Sequence, residues 1–65
     1  MLRFQVQGMT CGHCVAAVTR ALQALDPKAE VKTDLASGLV EVQGQLNAEQ
    51  AEAAIRAEGY QPTRL

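Results

Sequence analysis

The chain has 65 residues, of which 48% are hydrophobic and only two are aromatic. Such a length predicts a single small domain with a small core, because a short chain buries little of its surface. Six basic and seven acidic residues give a formal net charge of −1, which argues against nucleic acid as a partner, since phosphate binding needs a basic surface. Two cysteines are too few for a disulfide-stabilised secreted scaffold. We therefore expect one domain over residues 1–65, with cysteines that are free thiols or metal ligands.

The first part of the chain predicts a strand followed by a helix. Apolar and polar residues alternate over Leu2–Gln7, a pattern typical of a strand with one buried face. From Gly12 or His13 to Leu25, apolar residues recur at helical spacing and form one stripe that should face the core, Val15, Val18, Leu22 and Leu25. Asp26-Pro27 should end this helix, because proline cannot continue it.

A β-hairpin is predicted next. Apolar and polar residues alternate again over Glu30–Leu35 and Leu39–Gln43, and the intervening Ala36-Ser37-Gly38 is typical of a tight turn. We expect the side chains facing the core to be Val31, Thr33, Leu35, Val40 and Val42.

A second helix and a final strand complete the predicted order. Asn47 is a good N-cap, and Gln50 three residues later completes a capping box. Gly59 should stop the helix, and residues 60–65 contain a proline, which suits an edge strand. The order predicts an α+β, ferredoxin-like βαββαβ fold, in which a four-stranded antiparallel sheet carries both helices on one face.

Both cysteines fall where the first strand ends and the first helix begins. Cys11 and Cys14 flank His13, the only histidine. A helix N-terminus presents unpaired N–H groups and the positive end of the helix dipole, which favour the thiolate form of a cysteine. The sequence therefore places two thiolate-prone sulfurs on one short loop.

The Cys-x-x-Cys spacing alone is compatible with several functions. A closed zinc site needs four ligands, whereas this chain has two cysteines and one histidine. A dithiol redox protein would use the same spacing, although a thioredoxin-type fold is longer and starts with a different order of elements. No second titratable cluster supports catalysis. A two-coordinate soft metal remains, since thiolates select Cu(I) over hard cations. An exposed two-sulfur site also leaves room for a partner's sulfur, which favours transfer.

The stretch Gly8-Met9-Thr10-Cys11-Gly12-His13-Cys14 resembles the Gly-Met-x-Cys-x-x-Cys signature of heavy-metal-associated domains. These are the small copper chaperones and the metal-binding domains of copper-transporting P-type ATPases. Length, element order and the pair Gly59-Tyr60 also fit, so the resemblance covers essentially the whole chain. It implies a ferredoxin-like fold, a carrier rather than an enzyme, and Cu(I) bound by Cys11 and Cys14. It also implies transfer to a partner domain of similar fold through a three-sulfur intermediate.

The neighbouring residues refine this expectation. Zinc- and cadmium-pump relatives often carry an acidic residue where this chain has Thr10, which favours copper. Tyr60 occupies a position where bacterial copper chaperones often carry tyrosine, and its hydroxyl either lies near the sulfurs or belongs to an ordinary half-buried edge residue. His13 is expected to face solvent and to tune the thiols, with direct ligation as the alternative. Met9 is expected to pack beneath the loop, with thioether ligation as the alternative.

The sequence thus predicts a cytoplasmic Cu(I) metallochaperone whose partner is a copper-transporting P-type ATPase. No apolar run is long enough for a signal core or a membrane span, so we expect no direct membrane insertion. Two open sites facing each other could share copper through four cysteines, as a copper-bridged homodimer. The alternatives are an excised metal-binding domain of a copper ATPase, a mercury or zinc carrier of the same fold, and a dithiol redox protein.

Overall fold

The computed structural model describes all 65 residues. Its six elements are β1 (Leu2–Gln7), α1 (Gly12–Leu25), β2 (Glu30–Asp34), β3 (Leu39–Gln43), α2 (Ala48–Ala57) and β4 (Gln61–Arg64). The strands form one antiparallel sheet in the order β2-β3-β1-β4. The predicted ferredoxin-like βαββαβ fold is therefore confirmed. Neither helix has the length and apolarity that crossing a membrane requires.

The core lies between the sheet and the two helices. The central strands β1 and β3 direct alternate residues inward, so that Phe4 lies opposite Val40 in the sheet register and both are buried. Helix α1 contributes Val18 and Leu22, and α2 contributes Ala51 and Ile55. The full core cluster consists of Phe4, Val6, Met9, Val18, Leu22, Ala29, Val40, Val42, Ala51 and Ile55. One face of the sheet thus buries its apolar side chains beneath both helices.

Two leucines that the periodicity predicted to be buried are exposed. Leu25 is the last residue of α1 and is 42% exposed. Leu35 is 40% exposed, because β2 ends at Asp34 and the chain is already turning there. In both places the apolar pattern continues one residue beyond the part of the element that faces the core. The predicted inward position of Leu35 and the predicted burial of Leu25 were therefore wrong.

The ends of α2 follow the predicted capping. The Asn47 side chain accepts a hydrogen bond from the Gln50 amide at 2.8 Å, and the Gln50 side chain accepts one from the Asn47 amide at 3.0 Å. These two bonds satisfy donors that the first turn of a helix leaves unpaired. After α2, Gly59 has a φ of +93° and turns the chain towards β4.

Three connections meet at one end of the sheet. The Val6 amide at the end of β1 donates to the Gly38 carbonyl in the β2–β3 turn at 2.8 Å. On the other side of β1, Gly8 lies against the Tyr60 ring, which belongs to the connection between α2 and β4. The loop that carries the cysteines therefore starts between the β2–β3 turn and Tyr60.

Candidate metal centre

The first sulfur sits at the start of α1. Cys11 is the N-cap residue, with an extended backbone (φ −158°, ψ 173°), and its side chain makes no capping hydrogen bond. Its carbonyl accepts from the Cys14 amide at 3.1 Å and from the Val15 amide at 3.3 Å, which starts the helix. A thiol is a weak acceptor, so the Cys11 sulfur is not used as a cap and is exposed to solvent.

The second sulfur lies one turn into the helix and close to the first. Cys14 is partly buried and packs against the core. Its sulfur lies 3.7 Å from the Cys11 sulfur, and both are free cysteines. No acidic side chain occupies the first turn of α1, so nothing there offsets the positive end of the helix dipole. The spacing thus brings both sulfurs together at an electropositive helix end.

The environment of Cys14 favours its thiolate. A backbone hydrogen bond from Thr10, then one from the Tyr60 hydroxyl, lowers the pKa of Cys14 from 9.0 to about 6. Contacts with the Cys11 side chain and backbone act in the same direction, and desolvation opposes them. Hydrogen bonds to the charged form stabilise it, so Cys14 is mainly a thiolate at neutral pH. The same interaction raises the pKa of Tyr60, because its hydroxyl donates to Cys14.

Tyr60 reaches Cys14 because Gly8 leaves room for its ring. Gly8 has a φ of +102°, and a Cβ at this position would lie 3.1 Å from Cδ1 of Tyr60. A side chain here would therefore be strained by the backbone and would also press on the ring. Tyr60 is half-buried and packs against the core. Tyr60 is among the groups that lower the pKa of Cys14, and its role beside the sulfurs stays a prediction.

The other two candidate residues occupy different environments. Met9 is 7% exposed and belongs to the core cluster, so it anchors the loop from beneath. His13 is exposed. No cluster of three or more His, Cys, Asp or Glu side chains suited to a metal ion occurs in the structure. The structure therefore brings Cys11, Cys14 and Tyr60 together, and ligation by His13 or Met9 stays a prediction.

Comparison with known proteins places this arrangement in a family. The model of the heavy-metal-associated domain matches residues 3–61. The chain belongs to the heavy-metal-associated domain family. The copper chaperones of this family are metal carriers rather than enzymes, as the sequence predicted.

Similar proteins include a copper chaperone and a copper-transporting ATPase. The copper chaperone CopZ of Staphylococcus aureus is 38% identical over 58 residues, which are 85% of each chain. Copper-transporting ATPase 2 of Rhizobium meliloti is 37% identical over 60 residues, which are 88% of this chain and 7% of the ATPase. The predicted resemblance to small bacterial copper chaperones is confirmed.

Two solved structures superpose on nearly the whole chain. Copper chaperone Atx1 from Synechocystis PCC6803, in a Cu2 form, gives a TM-score of 0.93 at 33% identity and covers 97% of this chain and 100% of its own. A gold binding protein gives a TM-score of 0.93 at 38% identity, with complete coverage of both chains. This chain and these two structures thus share one fold.

The contribution of the Thr10 backbone was missed at the level of sequence. Thr10 was considered for its side chain, whereas its backbone has the largest effect on the pKa of Cys14. A backbone donor has no side-chain signature, so only its place in the loop, just before a helix N-cap, could have indicated it. The contact between Gly8 and Tyr60 was also missed, since it depends on the pairing of β1 with β4.

Proposed function

We propose that this heavy-metal-associated domain is a cytoplasmic metallochaperone that binds Cu(I) through the thiolates of Cys11 and Cys14. The pair of sulfurs 3.7 Å apart at the start of α1 carries this proposal. Thiolates are the ligands that Cu(I) prefers, and the lowered pKa of Cys14 supplies one of them at neutral pH. The similarity to copper chaperones CopZ and Atx1 supports copper as the cargo.

Two ligands from one loop favour transfer over storage. Cys11 is exposed, so a thiolate of a partner can approach the metal without displacing the core. In the proposed exchange, a partner thiolate adds to the two-coordinate copper, and one of the two chain sulfurs then leaves and takes up a proton. The copper remains Cu(I) throughout, because only ligands are exchanged. A second exchange completes the transfer.

The proposed acceptor is the metal-binding domain of a copper-transporting P-type ATPase. The similarity to part of copper-transporting ATPase 2 supports this choice, because donor and acceptor would then present sites of the same kind. If donor and acceptor carry the same kind of site, copper can bind sulfurs of both in a three-sulfur intermediate. The sulfurs from the donor and from the acceptor then have nearly the same ligand chemistry. A copper-bridged homodimer would resemble an intermediate of this exchange. Its two subunits are copies of this chain, and they share the metal through their four cysteines.

Side chains around the sulfurs take supporting roles in the proposal. Tyr60 donates its hydroxyl hydrogen to the Cys14 thiolate and so tunes the affinity for metal. Met9 holds the loop to the core from beneath. His13 is exposed next to the sulfurs, where it is available as a further ligand in a dimer or in a complex with a partner.

Anaerobic titration with Cu(I) in competition with a Cu(I) chelator tests the proposal. We expect tight binding near one Cu(I) per chain for the wild type and its loss when Cys11→Ser and Cys14→Ser are combined. His13→Ala is the matched control within the same loop, and we expect it to retain the site in the monomer. Weak binding by the wild type, or full binding by the double variant, would contradict a dithiolate copper site.

Two further assays distinguish the competing functions. Mixing the copper-loaded protein with an isolated metal-binding domain of a copper ATPase should move copper to that domain, as seen by separating the two and measuring their metal content. A dithiol redox protein would instead reduce a disulfide substrate catalytically without any need for copper. If the protein reduces the disulfide catalytically and transfers no copper, its function is that of a dithiol redox protein and not of a copper carrier.

Gold is a second candidate cargo. The chain is similar to a gold binding protein over its complete length, and Au(I) is a soft monovalent ion that thiolates bind as they bind Cu(I). Competition between the two ions for the wild-type protein ranks them. A preference for Au(I) at equal free concentrations would make copper the secondary cargo.

A further inference from the structure

The turn between β2 and β3 presses against the end of β1, just before the metal loop, by which we mean Gly8–Cys14. Gly38 in this turn is buried and has a φ of +75°. A Cβ on Gly38 would lie 2.7 Å from the Val6 carbonyl oxygen and 2.9 Å from the Gln5 side-chain nitrogen. Both the backbone conformation and the close approach therefore require glycine here.

The β2–β3 turn continues the hydrogen bonding of β1 beyond the point where its pairing with β3 ends. The last pair of that ladder is Gln5 with Leu39. Beyond it, the Gly38 carbonyl accepts from the Val6 amide at 2.8 Å, and the Gln5 side-chain amide donates to the Ser37 carbonyl. The turn thus supplies the hydrogen bonds that hold β1 on this side, two residues before Gly8.

The other side of the loop base is held as well. Gln7 pairs with Gln61 of β4, and the Tyr60 ring lies against Gly8. From Gly8 the chain needs only Met9, which is 7% exposed in the core, and Thr10 to reach Cys11. Because this connection is short and anchored, a shift at the end of β1 would be passed on to Cys11.

We propose that the β2–β3 turn is a positioning element for the metal loop, and that Gly38 is its key residue. By fixing Val6, the turn fixes the start of the loop and with it the relative position of Cys11 and Cys14. As far as copper is concerned, this inference rests on the proposed function. Preorganised ligands bind metal more tightly, and groups that orient ligands typically contribute about 10–100-fold in affinity.

The structure offers a matched pair of substitutions. Gly38→Ala forces a methyl group against β1 at the metal end. Gly44→Ala forces one against Asp26 and Ala29, where the Cβ would lie 2.6 Å from the carboxylate and 3.0 Å from the Ala29 Cβ. Gly44 follows Gln43, which pairs with Glu30 at the opposite end of the β2–β3 ladder from Leu39. Both substitutions should lower the melting temperature, but only the first acts on the metal loop.

Copper affinity and amide hydrogen exchange are measured for both variants, at a temperature where both are folded. We expect Gly38→Ala to bind Cu(I) about tenfold more weakly than wild type and to speed exchange at the amides of Met9–Cys14 in the metal-free protein. Gly44→Ala should leave both quantities at wild-type values. If Gly38→Ala fails to fold, Gln5→Ala takes its place, with Gln43→Ala on the same sheet face as its control.

The two readouts separate this inference from the proposed function. Equal effects of Gly38→Ala and Gly44→Ala on amide exchange in the metal loop would overturn the positioning role. Exchange in the loop would then follow the global stability of the domain and not the contact between the turn and β1. Absence of copper binding by the wild type would overturn the proposed function, while the exchange rates of the metal-free proteins would still decide whether the turn positions the loop.

Discussion

At Cys14, several weak donors act on one sulfur. The Thr10 backbone, the Tyr60 hydroxyl and Cys11 together lower its pKa from 9.0 to about 6. A lowered pKa means that the folded state favours the thiolate. Its contribution to stability is therefore complete above about pH 9 and is lost as the pH falls through about 6. The thiol that would supply a metal ligand in the proposed function therefore also links the fold to pH.

Removing the Tyr60 hydroxyl should raise the pKa of Cys14. In Tyr60→Phe the ring still packs against Gly8, so the fold is kept, but the hydrogen bond to the thiolate is lost. The pH dependence of the Cys14 13Cβ chemical shift measures this pKa directly, and copper retention should change modestly alongside it. A Cys14 titration curve that is the same in Tyr60→Phe and wild type would remove Tyr60 from the site.

Copper binding should weaken at acid pH. Below about pH 6 a proton competes with the metal for the Cys14 sulfur. We expect the apparent Cu(I) affinity, measured against a chelator of known pH dependence, to fall more steeply below this pH than above it. In Tyr60→Phe the steep region should begin at higher pH. An affinity with the same pH dependence on both sides of pH 6 would mean that Cys14 is not titrating there.

At the scale of elements, the cap of α2 matters because this helix leads directly to Tyr60. Asn47→Ala removes the side-chain half of the capping box, which should cost about 1 kcal/mol and lower the melting temperature by about 4–8 °C. Thermal unfolding followed by circular dichroism measures the change. Asn47→Asp keeps an acceptor oxygen and should unfold close to wild type. Equal losses in both variants would show that the cap contributes little.

Element order was predictable because each element carries its own local signal. Alternation indicated the strands, the apolar stripe from Val15 to Leu25 indicated α1, and Asn47 with Gln50 indicated the start of α2. The placements that failed, Leu25 and Leu35, lie at element ends, where periodicity no longer reports on burial. Contacts between distant segments had no local signal. The close approach of Gly38 to β1 follows from the register of three strands, which no single stretch encodes.

For the molecule as a whole, two carboxylates tie distant segments together. Asp26 accepts hydrogen bonds from the Lys28 amide at 3.0 Å and from the Gln45 amide at 2.7 Å, which joins the end of α1 to the connection before α2. Glu52 of α2 forms ion pairs with Arg56 and with Arg64 of β4, each at 2.8 Å. These hydrogen bonds and charges lower the pKa of both carboxyl groups. In so small a domain such links supplement a limited core.

The domain should therefore lose stability in acid. Both pKa values are lowered from ordinary values of 3.8 and 4.5, so the stabilisation is complete above those values and is lost as the pH falls through the lower folded-state values. Melting temperatures measured across this range should fall with pH, and Asp26→Asn should flatten the slope. Glu49→Gln alters an exposed carboxylate without these partners and should leave the dependence of melting temperature on pH unchanged. If the melting temperature of Asp26→Asn falls with pH as steeply as that of the wild type, Asp26 does not contribute to the acid sensitivity.

In the monomer, copper should be held by the two sulfurs of Cys11 and Cys14 and by no other atom of the chain. X-ray absorption at the copper edge, on protein loaded anaerobically with less than one equivalent of Cu(I), tests it most directly. We predict an edge typical of Cu(I) and only sulfur neighbours bound to the metal, with the signal lost in the double cysteine variant. Nitrogen or oxygen bound to the copper, or an edge typical of Cu(II), would contradict the claim.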